Sequence, residues 1–187
     1  MHTVTGISAG QDSRPWLGLD ETASAVLAML SEHVGLDLWM LTHLDGQRQT
    51  AISVYPRGQV RAGMSLPWSA TFCSRMVAGE GPQVASVVSA VPAYAELRAD
   101  LTRLGLGPIG MPGAYIGVPI RRRDGTLYGT LCGFAARAQP PALRRHLRLV
   151  QFGGQVLATA LESDAALENN AALDIDAVLE IDDKSGR

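Results

Sequence analysis

The stretch Ala114-Tyr115-Ile116-Gly117-Val118-Pro119-Ile120, followed by Leu127-Tyr128-Gly129-Thr130-Leu131-Cys132, decides the fold. Both runs are rich in apolar and β-branched residues, and Asp124-Gly125 between them is a strong turn signal. The pattern predicts two antiparallel strands, 114–121 and 126–134, joined by a tight hairpin. In the first strand, alternation places one set of side chains on one face, Tyr115, Gly117, Pro119 and Arg121, and the other set on the opposite face, Ala114, Ile116, Val118 and Ile120. In the second strand, the side chains that share one face are Tyr128, Thr130, Cys132 and Phe134.

Helical and extended segments alternate on both sides of this hairpin. An apolar stripe from Leu19 to Gly35 predicts a helix, and a long helix with coiled-coil spacing begins near Ala142 and loses its regularity after Asp164. Between the first helix and the hairpin we expect strands at 36–42 and 50–55, a short extended segment at 61–66, a helix at 69–78, a strand at 84–88 and a helix at 92–104. These elements predict an α+β fold. A central antiparallel sheet of five to six strands carries the N- and C-terminal helices on one face and a roof of helices and loops, 67–112, on the other.

The bulk composition limits what the protein can do. The chain has 187 residues, 47% of them apolar and 18% charged, with a net charge of −2. This predicts one domain, 15–165, between a disordered tail, 1–14, and an acidic tail or linker, 166–187. The charge argues against nucleic acid as a partner, and no apolar stretch is long enough for a membrane span or a secretion signal. Two cysteines outside any CxxC pair suit a reducing compartment, so we expect a cytoplasmic protein.

Three blocks of residues resemble the GAF family: Cys73-Ser74-Arg75-Met76-Val77 with Gly79 to Pro82, Val91-Pro92-Ala93-Tyr94, and the hairpin quoted above. The resemblance spans roughly residues 19–161. It is closest to the GAF subgroup fused to bacterial diguanylate cyclases and phosphodiesterases. It implies a GAF/PAS-like fold and a role as a sensory, non-catalytic domain in bacterial signal transduction. Ser86 and Ala135 stand where that subgroup commonly has aspartate.

The resemblance implies a small-molecule pocket between the sheet and the roof. The candidate ligand-binding residues are Trp68, Phe72, Cys73, Met76, Tyr94 and Met111 from the roof, and Tyr115, Gly117, Arg121, Thr130 and Cys132 from the sheet. Plain core packing is the alternative for each apolar residue among them. Arg121 begins the basic cluster 121–123, which is either a solvated turn or a phosphate contact. The ligand and any cofactor stay unidentified, because Ser74 replaces the histidine that follows the cysteine in bilin-binding relatives, and the four histidines have no metal-site spacing.

The expected mechanism is a ligand-driven change in the roof that alters the packing of the terminal helices. A homodimer through the first and last helices would pass that change to an output partner in cis or in trans. A ligand-free dimerisation module is the second hypothesis, since acidic residues are missing at 86 and 135. A cysteine-based redox sensor or a methionine-sulfoxide-reductase-like enzyme is the third. That enzyme needs two cysteines within bonding reach, whereas Cys73 and Cys132 fall on different predicted elements.

Overall fold

The computed structural model describes residues 18–58, 60–103 and 112–184, and the predicted tail at 1–14 lies outside them. Four helices and six strands follow one another in these segments. In chain order they are α1 (Leu19–Val34), β1 (Leu38–Asp45), β2 (Arg48–Tyr55), β3 (Ser65–Pro67), α2 (Phe72–Val77), β4 (Val84–Ala85), α3 (Pro92–Arg103), β5 (Ala114–Arg121), β6 (Leu127–Ala135) and α4 (Leu147–Lys184). Short 3-10 turns precede α2, α3 and α4.

The six strands form one sheet in the order β3-β2-β1-β6-β5-β4, and each described pair is antiparallel. The two hairpins, β1–β2 and β5–β6, meet along β1 and β6 at the centre of the sheet. Tight turns at Gly46 and Gly125 close the hairpins, and both glycines have a positive φ that side-chain-bearing residues rarely adopt. The predicted α+β fold with an antiparallel sheet is confirmed.

One face of the sheet packs against α1 and α4. The predicted aliphatic face of β5 is buried here together with Leu27 and Leu30 of α1 and Val150 and Leu157 of α4. A Cβ added to Gly154 would lie 3.1 Å from Val118, so the absence of a side chain there lets α4 approach β5 closely. The start of α1 is tied to α4, because the backbone N–H of Leu19 donates a 2.8 Å hydrogen bond to the Asp164 carboxylate.

The other face is covered by α2, α3 and the turns that join them, which we call the roof. Its buried residues form a second apolar cluster, separate from the one under the terminal helices. The helix α2 is short, and the side chain of Thr71 caps it by accepting a 3.1 Å hydrogen bond from the backbone N–H of Ser74.

Two features differ from the sequence-based expectation. The strand pairing shifts by one residue beside Ile52 in β2 and beside Tyr128 in β6, and each bulge interrupts the alternation of side chains. The long helix begins at Leu147, after a 3-10 turn from Pro141 to His146, and continues to Lys184 beyond the point where its periodicity decays. None of the helices in the described segments is long and apolar enough to cross a membrane.

Candidate functional site

Most of the predicted pocket residues come together between the roof and the sheet. Phe72 of α2, Tyr94 of α3, Tyr115 of β5 and Phe134 of β6 form a compact aromatic cluster. The ring centroid of Phe72 lies 5.0 Å from that of Tyr94 and 5.6 Å from that of Tyr115, which are distances of favourable ring packing. The predicted site residues that share this buried cluster are Phe72, Cys73, Met76, Tyr94, Tyr115 and Cys132, with Trp68 half-buried at its margin.

Gly117 lies on the roof face of β5, and the space beside it is occupied by the Tyr115 side chain. It lies two residues after Tyr115, and a Cβ there would overlap the hydroxyl of Tyr115. Only glycine therefore lets the Tyr115 ring lie flat along its own strand. This ring fills the space on the sheet, beside Gly117, where we predicted the pocket. A ligand must therefore displace side chains to enter.

The hydroxyl of Tyr115 brings two cysteines into one site. It donates a 3.7 Å hydrogen bond to the Sγ atom of Cys73 in α2. Cys132 lies directly opposite Gly117 in the β5–β6 pairing, next to the same hydroxyl. The Cys132 thiol donates a 3.8 Å hydrogen bond to the Met40 carbonyl, the other cysteine has the largest influence on the pKa of each thiol, and both are buried. The expectation that different elements would keep the cysteines apart was wrong, because the roof folds α2 onto the sheet.

The electrostatic environment differs for the two thiols. The polar groups beside Cys73, first Cys132 and then Gln49, Thr130 and Tyr115, lower its pKa despite its burial. The pKa of Cys132 is raised, first by its interaction with the Cys73 thiol and then by its burial. Burial and the neighbouring Cys73 also raise the pKa of Tyr115. Cys73 is therefore the thiol that this site favours as a thiolate.

A buried polar network supports the thiols from the sheet. The amide nitrogen of Gln49 donates to the hydroxyl oxygens of Thr42 at 2.7 Å and Thr130 at 2.9 Å. The Thr42 hydroxyl lies within hydrogen-bond distance of the Thr130 carbonyl at 3.2 Å and of the Thr130 hydroxyl at 2.8 Å. Thr130 was among the predicted site residues, whereas Gln49 was not, because the predicted second strand began at Thr50. Gln49 lies two positions before the inward-facing Ala51 and so shares its face of the strand, and this alternation was the signal that could have identified Gln49.

Arg121 is the predicted site residue that does not join the cluster. Six residues separate it from Tyr115, a distance of about 20 Å along a strand. It donates a 3.0 Å hydrogen bond to the Gly125 carbonyl within its own hairpin and, with Arg122 and Arg123, lines a groove of about 510 Å³ against α4. This distance along β5 keeps Arg121 out of the cluster.

The structure also settles the orientation of β6. Thr130, Cys132 and Phe134 face the roof, whereas Tyr128 belongs to the core under the helices. The expectation that Tyr128 shares their face was wrong because of the bulge beside it. Met111 lies outside the described residues.

Comparison with known proteins gives a consistent result. A family model of the GAF domain matches residues 18–161. The GAF domain of an Acinetobacter phosphoenolpyruvate-protein phosphotransferase is 16% identical over 82% of this chain and 87% of that chain, with a TM-score of 0.60. A methyl-accepting chemotaxis protein is 14% identical over 80% of this chain and 92% of that chain, with a TM-score of 0.59.

The second GAF domain of DevS from Mycobacterium smegmatis is 14% identical over 79% of this chain and 96% of that chain, with a TM-score of 0.55. At these identities the solved structures support the fold alone. No curated protein matches the sequence. Because the family model covers most of its length, the chain belongs to the GAF domain family, whose members are sensory and regulatory domains of signalling proteins.

Proposed function

We propose that this GAF domain binds a small molecule between the roof and the sheet and passes the binding signal to α4. The observation that carries the proposal is the second buried cluster, in which a short capped helix covers aromatic rings and a polar network on a rigid sheet. Sites of this kind, apolar with a few converging polar groups, are typical of ligand pockets. Because side chains fill the cluster, binding requires the roof to move.

The residues in the cluster favour an uncharged ligand with an apolar or aromatic body. Among the described residues, the buried polar side chains are Thr42, Gln49, Thr71 and Thr130, and none carries a charge. A buried ionic group would lack a countercharge there, which is costly. The hydroxyls, the carboxamide and the thiols offer hydrogen bonds to a small number of polar ligand atoms.

The strand β5 gives a direct route from the site to α4. Tyr115 and Gly117 face the roof, and Val118 and Ile120 on the opposite face lie against Gly154 of α4. A shift of β5 that accommodates a ligand therefore changes the packing of α4. Because β5 contacts the roof on one face and α4 on the other, coupling between them needs no further element.

We propose that α1 and α4 form a homodimer interface. Phe152 of α4 is 59% exposed, more than the other exposed large apolar side chains of the described residues, Tyr55 and Val87. Substituting Phe152→Ala removes this exposed ring without opening the core. We expect light scattering to detect a shift from dimer to monomer, with unchanged circular dichroism; a wild-type monomer would contradict this part of the proposal.

Native mass spectrometry of the freshly purified chain tests ligand binding. We expect an added small mass that disappears when the protein is denatured. Phe72→Ala removes a ring that contacts Tyr94, Tyr115 and Phe134, and it should lose that mass. Arg121→Ala is the matched control on the same sheet and should retain it. Loss of the mass in Arg121→Ala alone would instead place the ligand in the arginine groove.

The ligand-free dimerisation module is a second candidate, and the filled cluster favours it. Tyr94, Tyr115 and Cys132 are completely buried by protein atoms alone. A wild-type dimer without added mass, with no thermal stabilisation by a metabolite library, would support this function over the sensor.

A further inference from the structure

The two cysteines of the chain meet at the contact between the roof and the sheet. Cys73 lies in α2 and Cys132 in β6, both are buried in the same cluster, and each has the largest influence on the pKa of the other. The Tyr115 hydroxyl donates to Cys73 at 3.7 Å and stands beside Cys132 over Gly117. Since the chain has only two cysteines, a disulfide within one chain must join this pair.

We propose that Cys73 and Cys132 are a peroxide-sensitive dithiol that closes to a reversible disulfide between α2 and β6. Such a site needs a thiol that is readily deprotonated and a second thiol beside it that can resolve the first oxidation product. Cys73 meets the first requirement and Cys132 meets the second. The proposal goes beyond ligand sensing and does not depend on any ligand being found.

The reaction balances with hydrogen peroxide as the oxidant. The Cys73 thiolate attacks one peroxide oxygen, the O–O bond breaks, and the departing hydroxide takes up the thiol proton as water. The sulfur of Cys132 then attacks the sulfenic acid on Cys73, the S–S bond forms, the S–O bond breaks, and a second water leaves with the Cys132 proton. Two thiols lose two electrons and two protons, and peroxide is reduced to two waters.

The surrounding side chains suit the first step. The Tyr115 hydroxyl donates a hydrogen bond to Cys73, and such donors stabilise a thiolate. Cys132 has the largest influence on the pKa of Cys73, so the resolving thiol is beside Cys73 when it reacts. The pair is buried, so peroxide reaches it when the roof opens, a local motion that a short helix such as α2 permits.

A disulfide here would change how the roof behaves. It would fasten α2 covalently to the centre of the sheet, whereas the reduced form holds α2 by apolar packing and by hydrogen bonds. Opening of the roof would then be suppressed in the oxidised state. The redox state of the pair would thus control access to the space between roof and sheet.

The first test treats the folded, reduced full chain with hydrogen peroxide and measures its intact mass after alkylation of free thiols in denaturant. We expect a monomeric chain lighter by two hydrogens, with no alkylated cysteine and full reversal by dithiothreitol. Peptide mapping should find Cys73 linked to Cys132, and hydrogen exchange in 68–78 should slow. Two thiols that remain alkylatable, stable over-oxidation of one of them, or disulfides only between chains would overturn the proposal.

The second test separates the roles of the groups. In Cys132→Ser, the first oxidation product should persist as a dimedone-reactive sulfenic acid on Cys73, whereas Cys73→Ser should give none. Tyr115→Phe retains the ring and removes one donor to Cys73, so we expect peroxide oxidation to slow by about tenfold at neutral pH, with the pH midpoint of the rate moved upward.

Tyr128→Phe is the matched control, because Tyr128 lies on the opposite face of the sheet. Its oxidation rate and pH midpoint should equal those of the wild type. An unchanged rate in Tyr115→Phe, or an equal slowing in Tyr128→Phe, would refute the role of the Tyr115 hydroxyl.

Discussion

Adding one methyl group at Gly117 should destabilise the roof cluster specifically. A Cβ at this position would lie 2.6 Å from Cζ of Tyr115, whereas carbon atoms in contact are about 3.5 Å apart, so the ring must retreat by about 1 Å. Phe72, Tyr94 and Phe134 surround that ring with centroids 5.4 to 5.6 Å away, so little free space receives it.

Overpacking of this kind costs about 1 to 3 kcal/mol. For a chain of this length each kcal/mol lowers Tm by about 2 to 4 °C, so Gly117→Ala should lower Tm by about 2 to 12 °C. Urea unfolding followed by circular dichroism measures the free energy of unfolding, and thermal unfolding measures Tm.

A double-mutant cycle identifies the cause. Tyr115→Leu removes the outer part of the ring that the new methyl group would overlap, so Gly117→Ala should cost much less in that background. Equal costs of Gly117→Ala in the Tyr115 and Leu backgrounds would show that the two sites act independently. That result would refute the reasoning that Gly117 exists to accommodate Tyr115.

Three further changes test other parts of the structure. Gln49→Leu removes both hydrogen bonds to the buried threonine hydroxyls and should lower the free energy of unfolding by about 1 to 3 kcal/mol, measured in urea. Asp164→Ala removes the carboxylate at the start of α1 and should cost about 1 kcal/mol, whereas Asp164→Asn should recover part of the loss. The lowered pKa of Cys73 means that the unfolded chain binds more protons between the folded pKa and the ordinary thiol pKa, so wild-type stability should rise with pH across that window relative to Cys73→Ser. The raised pKa of Cys132 makes stability decrease with rising pH, but only above the ordinary thiol pKa. In the pH range below the ordinary thiol pKa, a difference in stability between the wild type and Cys73→Ser that stays constant or decreases with pH would contradict the assignment of Cys73 as the thiolate.

The layers of the fold follow from local patterns in the sequence. Asp124-Gly125 fixes the β5–β6 hairpin, the alternation of Ile116 and Val118 marks the face under the helices, and Gly35 ends α1 with a positive φ of 74°. Each signal comes from a few neighbouring residues, and the packing agrees with all of them.

Several features of the site could not be predicted in this way. A bulge adds one residue to a strand without changing its composition, so the sequence did not reveal that Tyr128 would face α1 and α4. The contact between Cys73 and Cys132 depends on how the roof docks, which is a property of the tertiary fold. Gln49 is buried because its amide finds two hydroxyl partners on neighbouring strands, and periodicity does not report such partners.

The central claim is that an event at the roof reaches α4 through β5. Hydrogen exchange measured by mass spectrometry tests it most directly, comparing the chain with its native small molecule bound and after that molecule has been removed. We expect slower exchange in the bound form both in 68–78 and in α4 near Gly154, with no change in the β1–β2 turn. Protection of the roof without any change in α4 would contradict it.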